Sequence, residues 1–186
     1  FNTPLGIALT VNNMLPSYAE VFITEMGAFR LKEIKYLAEF VKPQISIITD
    51  IGPQHLSTFK TMDNIVKAKT EILENNNPPL IGIINSNSAY LVDYLKEKTN
   101  SKTELIWVGV ENEKANIYAS NIQITNKDTS FDIYIDGVLK ANVQTKLLGR
   151  HNIYNILFGV AGIIALQNLG YDFDLTNLSE KIKNLI

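Results

Sequence analysis

A carboxylate and an imidazole each follow an apolar run that is typical of a buried strand. Glu25 comes after residues 21–23, and His55 comes after residues 45–49 and the turn at Gly52-Pro53. Ligands of an open parallel sheet bind outside the carboxyl ends of its strands, so both side chains are predicted to face a ligand. Both types bind divalent cations, although Mg²⁺ prefers further oxygens and waters. A turn cap at Glu25 and a loop hydrogen bond at His55 are the structural alternative.

Lys69 is a third candidate for chemistry. It lies on a predicted amphipathic helix, between Lys67 and Glu71. A lysine on a helix is ordinarily a solvated surface residue, so its position alone favours that structural role. A catalytic role for Lys69 needs a further reason.

A polar turn between a strand and a helix supplies the last candidates. Residues 149–155 read Gly-Arg-His-Asn-Ile-Tyr-Asn, and Asn152 is predicted to cap a long helix that opens near it. Asn155 follows within one turn, and its amide offers the donor and the acceptor that match an adenine edge. Capping alone is the alternative for this segment.

The elements that position these residues alternate between strand and helix. Apolar strands are predicted at residues 45–49, 80–84 and 105–110, with amphipathic helices after residue 31, after Thr61 and over residues 89–98. Such alternation predicts an α/β fold with a mostly parallel sheet flanked by helices. From residue 116 to 148 the apolar residues alternate in steps of two around Asp136-Gly137, which predicts a small antiparallel β segment with a hairpin turn.

Composition excludes several classes of protein. The 186 residues are 46% apolar and 19% charged, which suits one domain spanning residues 1–186. A net charge of −2 without blocks of like charge predicts no nucleic-acid partner. The absence of cysteine excludes disulfides and thiolate metal sites and agrees with a cytoplasmic location. The longest apolar run, residues 156–166, is shorter than the roughly 20 residues of a membrane span, so no membrane segment is expected.

Taken in order, four segments resemble the central, ATP-binding domain of the Mur ligase and folylpolyglutamate synthetase superfamily. These segments are Glu25-Met26-Gly27-Ala28, residues 49–56 (Thr-Asp-Ile-Gly-Pro-Gln-His-Leu), Ala68-Lys69-Thr70-Glu71-Ile72 and residues 149–155. The resemblance implies a fold related to P-loop nucleoside triphosphatases, with one Mg²⁺ bound by Glu25 and a second Mg²⁺ bound by His55. It also implies that Lys69 is carbamylated by CO₂ and becomes an oxygen ligand for Mg²⁺, so that Lys69 and His55 serve catalysis. Asn155, with His151 and Asn152 beside it, is implied to bind the adenine of ATP.

Within the superfamily, residues 1–6 and the loop around His55 look most like the MurF-type ligases. The resemblance therefore implies a peptidoglycan-precursor ligase that joins D-alanyl-D-alanine to UDP-N-acetylmuramoyl-tripeptide through an acyl phosphate. Asn2 and Thr3 are the candidates for contact with that nucleotide-sugar peptide. Another Mur ligase, a folylpolyglutamate synthetase, or a non-catalytic binding module descended from one are the alternatives.

The sequence departs from the family pattern in one respect. The family binds nucleotide phosphates with a glycine-rich loop that ends in Gly-Lys-Thr, and no Gly-Lys pair occurs in this chain. We expect the chain to be a middle-domain fragment, truncated on its N-terminal side, without that loop or the family's C-terminal domain. Alone, it is expected to be inactive.

Overall fold

The computed structural model describes residues 2–74, 79–98 and 102–183. Contacts divide the chain into two units, each of which is described by itself. Unit 1 consists of Phe1–Pro43 and Gly52–Pro78, and unit 2 of Gln44–Ile51 and Pro79–Ile186. Phe1, which belongs to the N-terminal segment quoted above, lies outside the described residues.

Unit 1 is helical. Its helices are α1 (Pro4–Asn13), α2 (Glu33–Val41), α3 (Leu56–Phe59) and α4 (Met62–Thr70), and a 3₁₀ turn (Glu71–Leu73) continues α4. The Thr61 hydroxyl accepts the N–H of Asn64 at 3.2 Å, which confirms the predicted cap of α4. At α1, the Thr3 hydroxyl accepts the N–H of Gly6 at 3.2 Å and Pro4 occupies the first turn.

The strand predicted at residues 21–23 is wrong. Residues 21–28 form no helix or strand, and 88% of Ile23 is exposed. An extended segment becomes a strand only when a neighbour pairs with its backbone groups. Within the described ranges no ladder includes these residues, because the pairs run only between the strands of the sheet in unit 2. The apolar run alone was therefore not sufficient to predict a strand.

Unit 2 contains one sheet of six strands in the order β1-β2-β3-β4-β5-β6. Strands β1 to β4 are parallel to one another, β5 is antiparallel to β4, and β6 is antiparallel to β5. This arrangement confirms both the α/β class and the antiparallel segment. The strands are β1 (Ile45–Ile48), β2 (Ile81–Asn85), β3 (Glu104–Val110), β4 (Ile117–Ile124), β5 (Thr129–Ile135) and β6 (Val138–Thr145). The helices are α5 (Ala89–Lys96), α6 (Arg150–Asn168) and α7 (Leu178–Lys183).

The hairpin between β5 and β6 turns at Asp136 and Gly137, as the sequence predicts. Their φ angles are +47° and +76°, and Ile135 pairs with Val138. A two-residue turn with positive φ at both positions matches the right-handed twist of the strands that it joins, and Asp-Gly tolerates that conformation. The turn therefore sets the pairing of β5 with β6 as far as Tyr134 and Leu139, beyond which the register shifts by one residue.

Helix α6 covers one face of this sheet. Ile153, Leu157 and Ala161 recur on one side of the helix and are fully buried. They join a core cluster with sheet residues such as Val108 and Ile133. Among the described helices, none is both long enough and apolar enough to span a bilayer.

Truncation of Ile133 should strongly destabilise the chain. Ile133 is 0% exposed within the core cluster, so Ile133→Ala leaves a cavity and should lower the free energy of unfolding by about 2–5 kcal/mol. Ile124→Ala is the matched control. Because Ile124 is 47% exposed, this substitution should lower the free energy of unfolding much less. Urea denaturation measures both variants, and equal losses would contradict this assignment of the core.

Candidate functional site

The five residues predicted from unit 1 meet at one cavity of about 490 Å³. Asn2, Thr3, Glu25, His55 and Lys69 all line it, although they come from separate segments of the chain. Residues that the sequence analysis did not single out, including Phe29, Lys32, Tyr36 and Gln54, complete the lining. The cavity therefore gathers a carboxylate, an imidazole and an amine within one unit. We call it the unit 1 pocket.

Asn2 orients the carboxylate of Glu25. Its side-chain amide donates to Oε1 of Glu25 at 3.1 Å, and its backbone carbonyl accepts the N–H of Gly27 at 3.1 Å. A Cβ at Gly27 would lie 3.1 Å from Nδ2 of Asn2, closer than most Cβ contacts. Glycine at position 27 thus keeps space for the amide that binds Glu25.

His55 is exposed at the start of α3. Its φ angle is +53°, a left-handed conformation that a non-glycine residue adopts at some cost, and its carbonyl accepts the Thr58 hydroxyl at 2.9 Å. The ring of Phe29 packs against the imidazole at an angle of 60°, with 4.5 Å between centroids. The backbone turn and the aromatic ring together direct the imidazole.

Lys69 is half-buried, in contrast with the solvated position that a surface helix favours. Its neighbours Ala68 and Thr70 are fully buried, and the Thr70 hydroxyl donates to the Val66 carbonyl at 2.9 Å. Lys67, on the same helix, is exposed. The end of α4 is therefore anchored so that Lys69 lines the pocket.

The donor groups of the unit 1 pocket fit Mg²⁺ only when other ligands complete its shell. Within the described residues no group of three or more His, Asp, Glu or Cys side chains is placed to hold a metal. Glu25 and His55 offer one carboxylate and one imidazole. Because Mg²⁺ retains waters and commonly binds one or two carboxylates together with substrate phosphates, this set suits an ion shared with a phosphorylated ligand.

A second cavity, of about 250 Å³, lies in unit 2, and we call it the unit 2 pocket. It brings Asn155 and His151 together with Asp50, Asn85 and Tyr154. The Asn155 amide donates to Oδ1 of Asn152 at 3.2 Å, and the Asn152 amide donates to the Leu148 carbonyl at 2.9 Å. Asn152 does not line the pocket but orients Asn155, which does.

The predicted cap at Asn152 is wrong. Helix α6 begins at Arg150, and the cap position is Gly149 at a φ of +93°. Because glycine reaches this conformation without strain, the chain enters the helix before Asn152, whose side chain then bonds back to Leu148. Gly149, and not Asn152, therefore occupies the cap position of α6.

Asp50 and Asn85 also line the unit 2 pocket, although neither was predicted as a site residue. They end or follow β1 and β2, where the strand-end rule applied to Glu25 and His55 would have found them. Asn85 donates to the Thr49 carbonyl at 2.7 Å, and its oxygen accepts the N–H of Asn87 at 2.9 Å. The Asn85 side chain thereby links the ends of β1 and β2 at the unit 2 pocket.

A family model and the curated relatives point to the same protein family. The profile described as the Mur ligase middle domain matches residues 1–163. The chain is 34% identical over 166 residues to the UDP-N-acetylmuramoyl-tripeptide–D-alanyl-D-alanine ligase of Buchnera aphidicola subsp. Baizongia pistaciae, covering 89% of the chain and 35% of that relative. It is 29% identical over 161 residues to the ligase of the same name from Haemophilus influenzae, covering 87% and 34%.

Solved structures share the fold. MurF from Acinetobacter baumannii matches 91% of the chain and 35% of its own length, with a TM-score of 0.76 and 22% identity. MurF from Thermotoga maritima, solved in complex with ADP, matches 97% and 39%, with a TM-score of 0.77 and 19% identity. The chain spans about a third of the length of the curated relatives that it matches.

Tyr154 should ionise only at unusually high pH. Burial raises the pKa of its phenol above the ordinary 10.0, the nearby carboxylates of Asp50 and Glu111 add to the rise, and Arg150 opposes it. Because the folded state favours the neutral phenol, this contribution to stability is full below pH 10.0 and is lost as pH rises through the folded pKa.

The absorbance difference at about 295 nm between the chain and Tyr154→Phe isolates this phenol, because phenolate absorbs there and phenol does not. We expect its midpoint above 10.0. A midpoint at or below that value would show that Tyr154 is solvated and not packed in the unit 2 pocket.

Proposed function

The chain belongs to the Mur ligase middle-domain family, and from this premise we propose that residues 1–186 form the ATP-binding middle domain of a ligase that joins D-alanyl-D-alanine to UDP-N-acetylmuramoyl-tripeptide. The observation that carries the proposal is the unit 1 pocket, which gathers Asn2, Glu25, His55 and Lys69. The curated relatives at 29–34% identity support the choice of substrates, because they bear that ligase's name.

The reaction proceeds in two steps. The γ-phosphoryl group of ATP passes to the terminal carboxylate of the tripeptide, forming an acyl phosphate and ADP. The amine of D-alanyl-D-alanine then attacks the acyl carbon, phosphate leaves, and the amine loses a proton as the amide forms. Phosphoryl transfer needs mainly positioning and neutralisation of charge. A pocket of fixed charged groups meets that need.

In this proposal Glu25 and His55 would each hold one Mg²⁺, with carbamylated Lys69 supporting the ion near His55. The ions would supply charge neutralisation at the phosphates. Asn2 keeps the Glu25 carboxylate oriented through its 3.1 Å hydrogen bond, and Phe29 supports the His55 ring. The Lys69 ammonium first loses a proton, and the neutral Nζ then attacks CO₂, forming an N–C bond and losing a second proton. The resulting carbamate offers oxygen ligands where the unmodified side chain offers an ammonium.

The unit 2 pocket binds adenine in this proposal. Asn155 presents its amide to the base edge, Asn152 fixes the orientation of that amide, and His151 lines the same cavity. The ADP complex of the T. maritima MurF supports a nucleotide as the ligand. Asn2 and Thr3 contact the nucleotide-sugar peptide, although Thr3 also caps α1.

The rest of the enzyme lies outside residues 1–186 in this proposal. The chain has no Gly-Lys pair to serve as a phosphate loop, so it is inactive alone. The reaction takes place in the cytoplasm as part of peptidoglycan synthesis, and neither nucleic acid nor a membrane is a partner. Cell-wall assembly and cell shape depend on it.

A folylpolyglutamate synthetase is the less favoured reading. The enzyme from L. casei matches 76% of the chain with a TM-score of 0.60 and 12% identity, below the values for the MurF structures. A structure of the 2,6-diaminopimelate ligase of the Mur group also has a lower TM-score, 0.61, than the MurF structures. A binding module without catalysis remains the outcome if the full-length protein has no activity.

Phosphate release by the full-length protein tests the function. We expect ATP-dependent release only when UDP-N-acetylmuramoyl-tripeptide and D-alanyl-D-alanine are both present, because the amine must displace phosphate from the acyl intermediate. Residues 1–186 alone are the control and should release none. Release with a folate and glutamate instead would assign the protein to the synthetases, and no release with any substrate pair would leave the binding module.

A further inference from the structure

Glu71 follows Lys69 by two residues, and its carboxylate binds the backbone of another helix. Oε1 accepts the N–H of Lys32 at 2.7 Å, and Oε2 accepts the N–H of Lys35 at 3.1 Å. Both N–H groups belong to the N-terminal turn of α2. A single side chain therefore joins the end of α4 to the start of α2.

Helix α2 has no cap of its own. Lys32 occupies the cap position with a φ of +75° and makes no side-chain cap bond. The first N–H groups of a helix have no partner within it, and a carboxylate there is favoured by hydrogen bonding and by the helix dipole. Glu71 supplies from a distance the acceptors that a lysine side chain cannot provide.

The turn that Glu71 fixes forms part of the unit 1 pocket. Phe29, Leu31 and Lys32 line the cavity. The Glu33 carboxylate bonds back to the N–H groups of Phe29 at 2.7 Å and Arg30 at 3.1 Å. The two carboxylates thus hold the whole turn, with Glu33 acting within it and Glu71 tying it to α4.

The connection from Glu71 to Lys69 is stiff. The N–H of Glu71 donates to the Lys67 carbonyl, and Thr70 between them is fully buried. When the Glu71 carboxylate binds α2, this fixed backbone therefore places Lys69 relative to the start of α2. Glu71 itself does not line the pocket, so it acts through its neighbours.

We propose that Glu71 is a positioning residue that sets Lys69 in register with the turn of Phe29 to Lys32 across the unit 1 pocket. Its consequence for ligation rests on the proposed function, whereas its effect on the environment of Lys69 does not.

The test uses Glu71→Gln in the full-length protein. Glutamine keeps the size but has one acceptor oxygen, so at least one of the two N–H bonds is lost. Limited labelling with an amine-reactive reagent in CO₂-free buffer, where any carbamate on Lys69 reverts to the amine, is read by peptide mass spectrometry. It compares Lys69 with Lys67, which is exposed on the same helix. We expect the ratio of Lys69 to Lys67 labelling to rise severalfold in Glu71→Gln. Glu20→Gln, at an exposed carboxylate of the same unit, should leave the ratio unchanged.

Steady-state kinetics give the second readout. Glu71→Gln should lower kcat by roughly tenfold to a hundredfold, since about 1 Å of misplacement of a reacting group costs on the order of a hundredfold. The KM for ATP should change by less than about twofold, because the adenine contacts belong to the unit 2 pocket. Glu33→Gln should also lower kcat but leave the labelling ratio of Lys69 unchanged, because the Glu71 bonds remain.

The outcomes separate the two proposals. An unchanged labelling ratio in Glu71→Gln overturns the positioning role. This includes an equal rise in labelling at both lysines, which would report general unfolding. A changed ratio in a full-length protein whose wild type ligates nothing overturns the proposed function and upholds the positioning role. A rise in KM for ATP as large as the fall in kcat contradicts a defect confined to the unit 1 pocket.

Discussion

Backbone N–H groups at a helix start must find acceptors, and the unit 1 pocket is arranged around that requirement. Helix α2 begins after a left-handed lysine that provides no cap, and the Glu71 carboxylate supplies acceptors for the N–H groups of Lys32 and Lys35. The Glu33 carboxylate does the same for the turn before the helix, at Phe29 and Arg30. Charged acceptors on backbone N–H groups are stronger than neutral ones. Satisfying these donors places the turn after Ala28 beside the end of α4, and the side chains with chemistry are positioned as a result.

The sequence predicted much of unit 2 because its signals are local. Apolar runs of strand length, alternation in steps of two, and an Asp-Gly pair each act within a few residues, and the sheet follows them. Residues 21–23 show where this reasoning fails. Their apolar pattern is that of a strand, but a strand also needs a partner, and pairing cannot be read from one segment.

Glu25 and His55 were found from apolar runs followed by a turn, and both line one cavity with Lys69. Only the run before His55 forms a strand, so the strand-end argument does not explain the position of Glu25. Glu71 was not identified, because its partners lie 36 and 39 residues earlier and no periodicity marks such a bond. The role of Asn152 was misjudged because the helix starts earlier, with Gly149 at the cap position.

We propose that Lys69 serves the reaction as a carboxylate-like group and not as a cation. This is tested by ligation with full-length Lys69→Ala, with and without a small carboxylate such as acetate. Lys67→Ala is the control at an exposed position of the same helix. We expect a loss of at least about a hundredfold in Lys69→Ala, as for other preorganised groups, partial recovery with the carboxylate, and little change in Lys67→Ala. Full activity of Lys69→Ala without any additive would contradict it.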